Sequence, residues 1–162
     1  MTDIYEILDS IEVSYERFDH PAVFTVDEAK RLSPEMDGAS TKNLFLRDKK
    51  GIRHFLVAVP QDKQVDLKKL SSILEASRLS FASADRLKTY LGIDPGSVSL
   101  LALLNDSDKK VEVFIDNELW DAKTILCHPL VNTSTLAVPR NGIKKFLEKT
   151  GHSLRLVEVP VK

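Results

Sequence analysis

The chain contains 162 residues, and its 23 Lys and Arg nearly balance its 24 Asp and Glu. Domains typically contain roughly 100–200 residues, so this length predicts a single domain over residues 1–162. The formal net charge of −1 argues against a protein that coats nucleic acid non-specifically, although it permits local contact with one. The single Cys excludes an intrachain disulfide framework and favours a reducing, cytoplasmic setting. No apolar run approaches the roughly 20 residues that a membrane span requires.

The first half of the chain predicts alternating helices and strands. Thr2 is the expected N-cap of the first helix, and Thr25, followed three residues later by Glu28, is the capping-box signature of the second. In chain order, the predicted elements are a helix over 4–11, a strand over 14–18, a helix over 25–32, and a hairpin of strands over 43–47 and 52–59.

The second half continues this alternation. Asp66 and Ser83 are the expected N-caps of two helices, the second of which ends at Gly92, and a last helix from residue 140 or 141 ends at Gly151. Further β structure is predicted in the apolar segments 98–104, 111–115, 124–127, 135–138 and 154–159. Because short turns join several strands, the predicted fold class is α/β (α+β), with a mixed, largely antiparallel β-sheet flanked by helices.

Lys42 and Asn43 stand at the head of a predicted strand, and two interpretations of them remain open. A lysine on a sheet edge discourages aggregation, which is a purely structural role. Alternatively, a cation beside an amide at a strand entrance can hold a phosphate, a ribose or a carbonyl oxygen.

Gly96 and Ser97 follow Pro95 in a loop after a predicted helix. The loop is either a helix stop with a Pro-Gly turn or a place where successive backbone N–H groups converge on a developing oxyanion. In the second case the Ser97 hydroxyl adds a further donor.

His128 follows a predicted strand and precedes a proline, with Asn132 close behind it. It is either a structural hydrogen-bonding group or a catalyst. Its neighbour Cys127 lies in a predicted strand interior, where buried cysteines are usually inert, so we expect no nucleophile there.

The other histidines differ in what they suggest. His20 precedes Pro21 after a strand and is a candidate wall of a pocket, whereas His54 and His152 are expected to be ordinary surface or supporting residues. No spacing of ligand residues predicts a metal site, no Gly-x-Ser-x-Gly motif predicts a nucleophile elbow, and we expect no cofactor. Any hydrolysis would therefore use bound water, which suits only an activated substrate such as an aminoacyl ester.

Three motifs in the order 42–48, 92–99 and 128–133 closely resemble those of the bacterial prolyl-tRNA editing superfamily, small proteins similar to the insertion domain of bacterial prolyl-tRNA synthetase. They read Lys-Asn-Leu-Phe-Leu-Arg-Asp, Gly-Ile-Asp-Pro-Gly-Ser-Val-Ser and His-Pro-Leu-Val-Asn-Thr. Segments 15–24 and 146–152 also resemble the family, so the resemblance covers nearly the whole chain. The first and third motifs together look most like the freestanding alanyl-tRNA(Pro) deacylase branch.

The resemblance implies a fold similar to the prolyl-tRNA synthetase editing domain, and trans-editing, which is hydrolysis of alanine wrongly esterified to tRNA(Pro). The lysine is expected to contact the tRNA 3′ end and orient the ester, the Gly-Ser loop to border the scissile carbonyl, and the histidine to lie at the pocket. The positions matched for catalysis are Lys42, Gly96, Ser97 and His128, and those matched for substrate binding include His20, Asn43 and Asn132. Ser134 stands where Ala often follows the Asn-Thr pair.

The family role has a physical basis in side-chain size. A synthetase site built for proline cannot strongly exclude the smaller alanine, because one methylene is worth only about 1–3 kcal/mol of discrimination. A second, smaller pocket that admits alanine and rejects proline supplies the missing factor. The candidates for lining it are Val23, Phe24, Phe45 and Leu130.

Two basic clusters either grip phosphates or form solvated surface. The first contains Lys42, Arg47, Lys49, Lys50 and Arg53, and the second contains Arg140, Lys144, Lys145 and Lys149. The expected partner is the acceptor end of tRNA(Pro) carrying a mischarged small amino acid, with prolyl-tRNA synthetase as a candidate second partner. Low net charge and the absence of helix-turn-helix spacing argue against DNA, and no membrane partner is expected.

Two other functions remain open. The chain could deacylate tRNA carrying another small amino acid, cysteine or serine, or it could be a non-catalytic module that senses aminoacyl-tRNA or an amino acid. Intact Lys42, Gly96, Ser97 and His128 favour catalysis, since a sensor could tolerate their loss.

Overall fold

The computed structural model describes residues 3–21 and 38–162, and every element below lies within these ranges. The α-helices are α1 (Ile4–Ser10), α2 (Leu67–Ile73), α3 (Ala84–Leu91), α4 (Asn117–Trp120) and α5 (Arg140–Thr150). Two short 3-10 helices cover Pro95–Ser97 and Leu100–Asn105. In this described part of the chain, no helix has the length and apolar character needed to cross a membrane.

The strands form two sheets. They are β1 (Glu16–Asp19), β2 (Thr41–Arg47), β3 (His54–Pro60), β4 (Ser80–Phe81), β5 (Val111–Asp116), β6 (Thr124–Cys127), β7 (Ser134–Pro139) and β8 (Arg155–Val157). One sheet has the order β1-β7-β6 and the other β4-β2-β3-β5-β8. The pairings are antiparallel except those of β5 with β3 and with β8. The predicted mixed, largely antiparallel fold with flanking helices is confirmed, although its strands divide into two sheets.

Local sequence signals set the ends of several helices. Asp66 and Ser83 cap α2 and α3, because each side chain accepts a backbone N–H from the residue three positions further on. Gly92 and Gly151 end α3 and α5 in the left-handed conformation, where glycine carries no Cβ penalty. All four positions confirm the predictions made from the sequence.

A parallel bridge between Ala39 and Ile125 joins the two sheets. The Ala39 N–H donates to the Thr124 carbonyl at 2.9 Å, and the Leu126 N–H donates to the Ala39 carbonyl at 3.1 Å. From this bridge, β2 and β6 run in the same direction, so the segments that follow them emerge at the same end of the molecule.

The five-stranded sheet separates two groups of buried apolar side chains. Alternation along β2 directs Asn43, Phe45 and Arg47 to one face and Lys42 and Leu44 to the other. Phe45 belongs to the larger group, which also contains residues of α1, α3 and α5, whereas Leu44 packs in the smaller group with residues of α2. The side chains of neighbouring residues at the start of β2 therefore point to opposite sides of the sheet.

Segment 98–104, predicted as β structure, is helical. Ser99 accepts the Leu101 N–H at 3.1 Å and caps the 3-10 helix Leu100–Asn105, whose first four residues are all buried. The apolar run that suggested a strand is therefore a helix enclosed by the core.

The first helix begins at Ile4, as predicted, but the N-cap expected at residue 2 is wrong. The Asp3 side chain caps α1 by accepting the Tyr5 N–H at 2.7 Å. The helix predicted over 25–32 lies outside the described residues.

Candidate functional site

Asn43 lies on the face of β2 that meets the loop after α3. Its Nδ2 donates to the Val98 carbonyl at 3.5 Å. Its Oδ1 is buried and accepts no hydrogen bond from the described residues. A buried amide oxygen without a donor costs free energy, so this atom is ready to accept a hydrogen bond from a bound molecule.

The loop beside Asn43 contains the predicted Gly96 and Ser97. The Ser97 N–H donates to the Asp94 carbonyl at 2.9 Å, which closes the turn and occupies that amide. Ser97 is itself buried. The bond from Asn43 to Val98 brings this loop and the head of β2 together, as the family resemblance implies, but it leaves Gly96 rather than Ser97 as the candidate amide for an oxyanion.

His128 begins the loop between β6 and β7. Its Nδ1 lies 3.1 Å from the Ser134 carbonyl, which can only accept, so Nδ1 carries a proton. Burial is the main cause that holds the pKa of His128 below its ordinary value of 6.5; the hydrogen bond to Ser134 opposes this shift, and the electrostatic effect of His20 adds to it. At neutral pH the ring is therefore uncharged, and its Nε2 carries a lone pair that can accept a proton or orient water.

His20 lies beside His128, with ring centroids 6.4 Å apart in an edge-on arrangement. Its Nδ1 is 2.8 Å from the Pro21 carbonyl, and its Nε2 is 2.7 Å from the Thr135 hydroxyl. Both ring nitrogens are thus engaged, and the bond to Thr135 links the end of β1 to β7.

Ser134 and Thr135 orient the two histidines, a role that the motifs did not reveal. Ser134 pairs with Asp19 in the antiparallel register of β7 and β1. Its hydroxyl donates to the Asp19 carboxylate at 2.6 Å, and this hydrogen bond is the main reason the pKa of Asp19 is lowered. Ser134 therefore ties β1 to the strand that carries the His128 acceptor, a link that depends on the strand register.

Lys42 faces the other side of β2 from Asn43. Its Nζ donates to the Lys63 carbonyl at 2.5 Å, and it lines a cavity of about 690 Å³ with residues that include Leu44 and Lys162. Burial is the main cause that lowers its pKa, with repulsion from Lys162 adding to it and Asp62 opposing it. The structure thus places Lys42 and Asn43 on opposite faces of β2, although they adjoin in one motif.

The residues predicted to line a size-selective pocket lie in different parts of the fold. Phe45 is a core residue that stacks on His54 with centroids 5.8 Å apart and also contacts Tyr90. Leu130 is partly buried and has a positive φ of 68°. Asn132 is half-buried in the same loop as Leu130. Val23 and Phe24 lie outside the described residues.

Cys127 is buried, and burial raises the pKa of its thiol to about 12. The thiolate is the nucleophilic form, so at neutral pH this side chain is inert, in agreement with the expectation from the sequence.

Two histidines expected at the surface or in supporting roles are buried. His54 Nε2 lies 3.0 Å from the Arg86 guanidinium, and His152 Nε2 lies 2.8 Å from the Asp106 carboxylate. Of the two roles expected, the structure shows the supporting one and not the surface one, because residues from distant parts of the chain enclose both histidines.

The first predicted basic cluster is not a continuous charged surface. Arg53 makes two hydrogen bonds of 2.9 Å to the Glu112 carboxylate, which offsets its charge. Lys42 lies at the other end of β2 and faces the opposite side of the sheet from Arg47. Only Lys49 and Lys50 of this cluster are exposed.

Comparisons with known proteins agree on one family. The model of the aminoacyl-tRNA editing domain family matches residues 20–146. The prolyl-tRNA editing protein ProX of Acetoanaerobium sticklandii is 35% identical over 152 residues, covering 94% of this chain and 93% of that protein. The prolyl-tRNA synthetase associated domain-containing protein 1 of Danio rerio is 36% identical over 153 residues, covering 93% of this chain and 83% of that protein.

A solved structure described as a proposed trans-editing enzyme for prolyl tRNA synthetase has the same fold. Its TM-score is 0.71, its sequence is 16% identical, and the match covers 98% of this chain and 95% of that one. This similarity confirms the predicted fold class, and the sequence comparisons confirm the family resemblance.

The lowered pKa of His128 predicts a loss of stability in acid. The unfolded ring titrates near 6.5 and the folded ring below it, so the unfolded state binds more protons in that window. The stabilising contribution of neutral His128 is therefore complete above pH 6.5 and is lost as the pH falls towards the folded value.

Urea unfolding of the wild type and of His128→Gln across this pH window tests the prediction. We expect the difference between their free energies of unfolding to shrink as the pH falls below 6.5. His54 also has a lowered pKa, but it is present in both proteins and cancels in the difference. A difference that stays constant or grows in acid would contradict the assignment.

Proposed function

We propose that this chain, which belongs to the aminoacyl-tRNA editing domain family and is an aminoacyl-tRNA deacylase, removes alanine from tRNA(Pro) that carries it by mistake. Its substrate is a charged tRNA, and it edits in trans. Resemblance to the freestanding alanyl-tRNA(Pro) deacylase branch supports alanine as the amino acid. Prolyl-tRNA synthetase is the partner we expect to produce the mischarged substrate.

The buried oxygen of Asn43 is the observation that carries the proposal. It lies beside the loop of Gly96 and accepts no hydrogen bond from the described residues. The α-amino group of an aminoacyl ester supplies the donor that this oxygen lacks. With the amino group held there, the ester carbonyl would lie towards the loop.

Hydrolysis then needs only water and oriented hydrogen bonds. Water attacks the carbonyl carbon and forms a tetrahedral oxyanion, which we assign to the Gly96 N–H because the Ser97 N–H is already engaged. The bond from that carbon to the ribose oxygen breaks, and the proton lost by the water passes to the leaving oxygen. His128 Nε2 orients the water, and a neighbouring ribose hydroxyl assists the proton transfer.

Selection against proline follows from pocket size. Alanine and proline differ by carbon atoms that a small pocket can exclude by overlap, whereas the synthetase must admit proline. We propose that Leu130 and Phe45, together with Val23 and Phe24, limit the pocket. His20 and Asn132 complete it from the side of the His128 loop.

Lys42 is proposed to hold the 3′ end of the tRNA. Its ammonium group donates to the backbone carbonyl of Lys63. A long, flexible side chain at the head of β2 can release that carbonyl and reach a phosphate or the ester oxygen at the same strand edge.

The experiments below also test two alternative functions. A deacylase specific for cysteine or serine would use the same site with a different pocket. A non-catalytic sensor would bind aminoacyl-tRNA without releasing the amino acid.

Release of amino acid from alanyl-, cysteinyl-, seryl- and prolyl-tRNA(Pro), compared side by side with chelator present, tests the proposal. We expect rapid loss of alanine and retention of proline, because only the smaller side chain enters the pocket. Preferential release of cysteine or serine would show that this amino acid, and not alanine, is the one that the protein removes. Folded protein that releases none of the four would contradict catalysis and favour a sensor.

Substitution tests the proposed roles of Lys42 and His128. We expect Lys42→Ala and His128→Ala each to lower kcat/KM for alanyl-tRNA(Pro) by roughly 100-fold, the scale for loss of one charge-stabilising or acid–base group. Lys69→Ala, which removes an exposed lysine from α2, is the matched control for Lys42 and should leave the rate unchanged. Wild-type rates in either active-site variant, with unchanged thermal unfolding, would remove that residue from the mechanism.

A further inference from the structure

Two arginine side chains meet at the turn between β2 and β3. A Cβ atom at Gly51 would lie 2.7 Å from Arg86 Nη2 and 3.1 Å from Arg47 Nη2, so both guanidinium groups approach the same point. Gly51 has a φ of 70° and no side chain, and both properties allow this approach. Arg47 comes from the end of β2 and Arg86 from the first turn of α3.

Backbone carbonyls, rather than carboxylates, hold both guanidinium groups. Arg47 donates to the carbonyls of Asp48 at 3.2 Å and Lys49 at 3.0 Å. Arg86 Nη1 lies 3.1 Å from the Gly51 carbonyl and 3.0 Å from His54 Nε2.

Neutral acceptors fix the orientation of the two groups without offsetting their charge. In the described part of the chain, Arg17, Arg53 and Arg155 each have a carboxylate partner, whereas neither Arg47 nor Arg86 has one. A guanidinium carries five donors, and each of these two retains donors beyond those used by the carbonyls.

Both arginines act electrostatically on the neighbouring His54. Burial is the main cause that lowers the pKa of His54, followed by the charge of Arg86, with Arg47 adding to it. Asp48 and Asp106 oppose the shift but do not reverse it. The Asp48 carboxylate is itself occupied, since one oxygen accepts the backbone N–H groups of residues 52 and 53.

Position on β2 links this arginine pair to the candidate site. Arg47 lies on the same face of the strand as Asn43, with Phe45 between them. Four residues of β-strand span roughly 13 Å. Because Phe45 is buried, a polynucleotide with its 3′ end beside Asn43 would pass outside this residue to place a backbone phosphate at Arg47. The exposed Lys49 and Lys50 extend the positive surface beyond it.

We propose that Arg47 and Arg86 form a phosphate-binding site that grips the backbone of the tRNA acceptor arm while the 3′ end occupies the site beside Asn43. This inference rests on the proposed function for its occupant. Guanidinium groups match phosphate oxygens geometrically, and a phosphate between the two supplies the negative charge that the pair lacks.

Binding of unacylated tRNA(Pro) to the full chain at several salt concentrations tests the site. We expect the double variant Arg47→Gln, Arg86→Gln to weaken binding by roughly tenfold for each charge-assisted hydrogen-bonding group that it removes. The slope of log K against log salt should become shallower by roughly one for each phosphate that the variant no longer neutralises. Glutamine retains a donor towards the neighbouring carbonyls and limits the effect on folding.

The matched control is Lys68→Gln, Lys69→Gln. It removes the same charge from α2, which packs against the opposite face of the five-stranded sheet, and should change affinity and slope little. An equal decrease in affinity in both double variants would overturn the site, because it would reflect net charge alone. Wild-type affinity and slope in the arginine variant would also overturn it.

NMR titration of wild-type protein with inorganic phosphate at constant ionic strength gives a readout that needs no variant. We expect phosphate to raise the pKa of His54, because the bound anion offsets the field of Arg86 and Arg47. An unchanged His54 titration at saturating phosphate would overturn the site. A phosphate effect combined with normal tRNA binding by the arginine variant would assign the site to a small free phosphate and overturn the RNA contact.

Neither measurement depends on hydrolysis. Failure of every aminoacyl-tRNA to be deacylated would contradict the proposed function, whereas the binding of unacylated tRNA would still decide the role of the arginine pair.

Discussion

Two backbone hydrogen bonds at Ala39 hold the two sheets together, and the placement of the candidate site depends on them. Gly38 makes the junction possible: its φ is 146°, and a Cβ there would lie 2.8 Å from a methyl carbon of Leu126. Lys42 lies three residues beyond the bridge on β2, and His128 lies three residues beyond it, directly after β6, which runs in the same direction. The main-chain bridge thus helps to bring motifs that are far apart in the sequence to one end of the molecule.

The strand β2 distributes the functional groups between two faces. Asn43, Phe45 and Arg47 follow one another along one side, so that the proposed site for the aminoacyl group, a core residue and the proposed phosphate contact share a single rigid support. Lys42 projects from the other side into a cavity, held by the carbonyl of Lys63, whose own ammonium group forms a buried ion pair with Asp116 at 2.6 Å. A substrate that uses both Lys42 and Asn43 must cross the edge of this strand. This requirement fits a thin, single-stranded 3′ end better than a compact ligand.

Local features of the fold were predictable from the sequence, because the residues that cause them are neighbours in the chain. Asp66, Ser83 and Gly92 act through hydrogen bonds or dihedral angles within a few residues, and the structure confirms them. Features that depend on distant partners were not predictable: His54 and His152 are buried against residues that the sequence places 32 and 46 positions away.

For the candidate site, the motifs identified the loops that meet. The opposite orientations of Lys42 and Asn43 follow from strand alternation and could have been predicted from it. The support of His128 through Ser134 required the register of β7 against β1.

The most direct test of the account is to locate the aminoacyl group by NMR, using an alanyl-adenosine analogue in which an amide replaces the ester so that hydrolysis does not occur. The account predicts that the side-chain amide resonances of Asn43 and the ring resonances of His128 shift together along one saturation curve. Resonances of Ile73, exposed on α2 at the opposite face, should stay unchanged. Saturable shifts confined to the cavity beside Lys42, with Asn43 and His128 unaffected, would contradict the placement of the site.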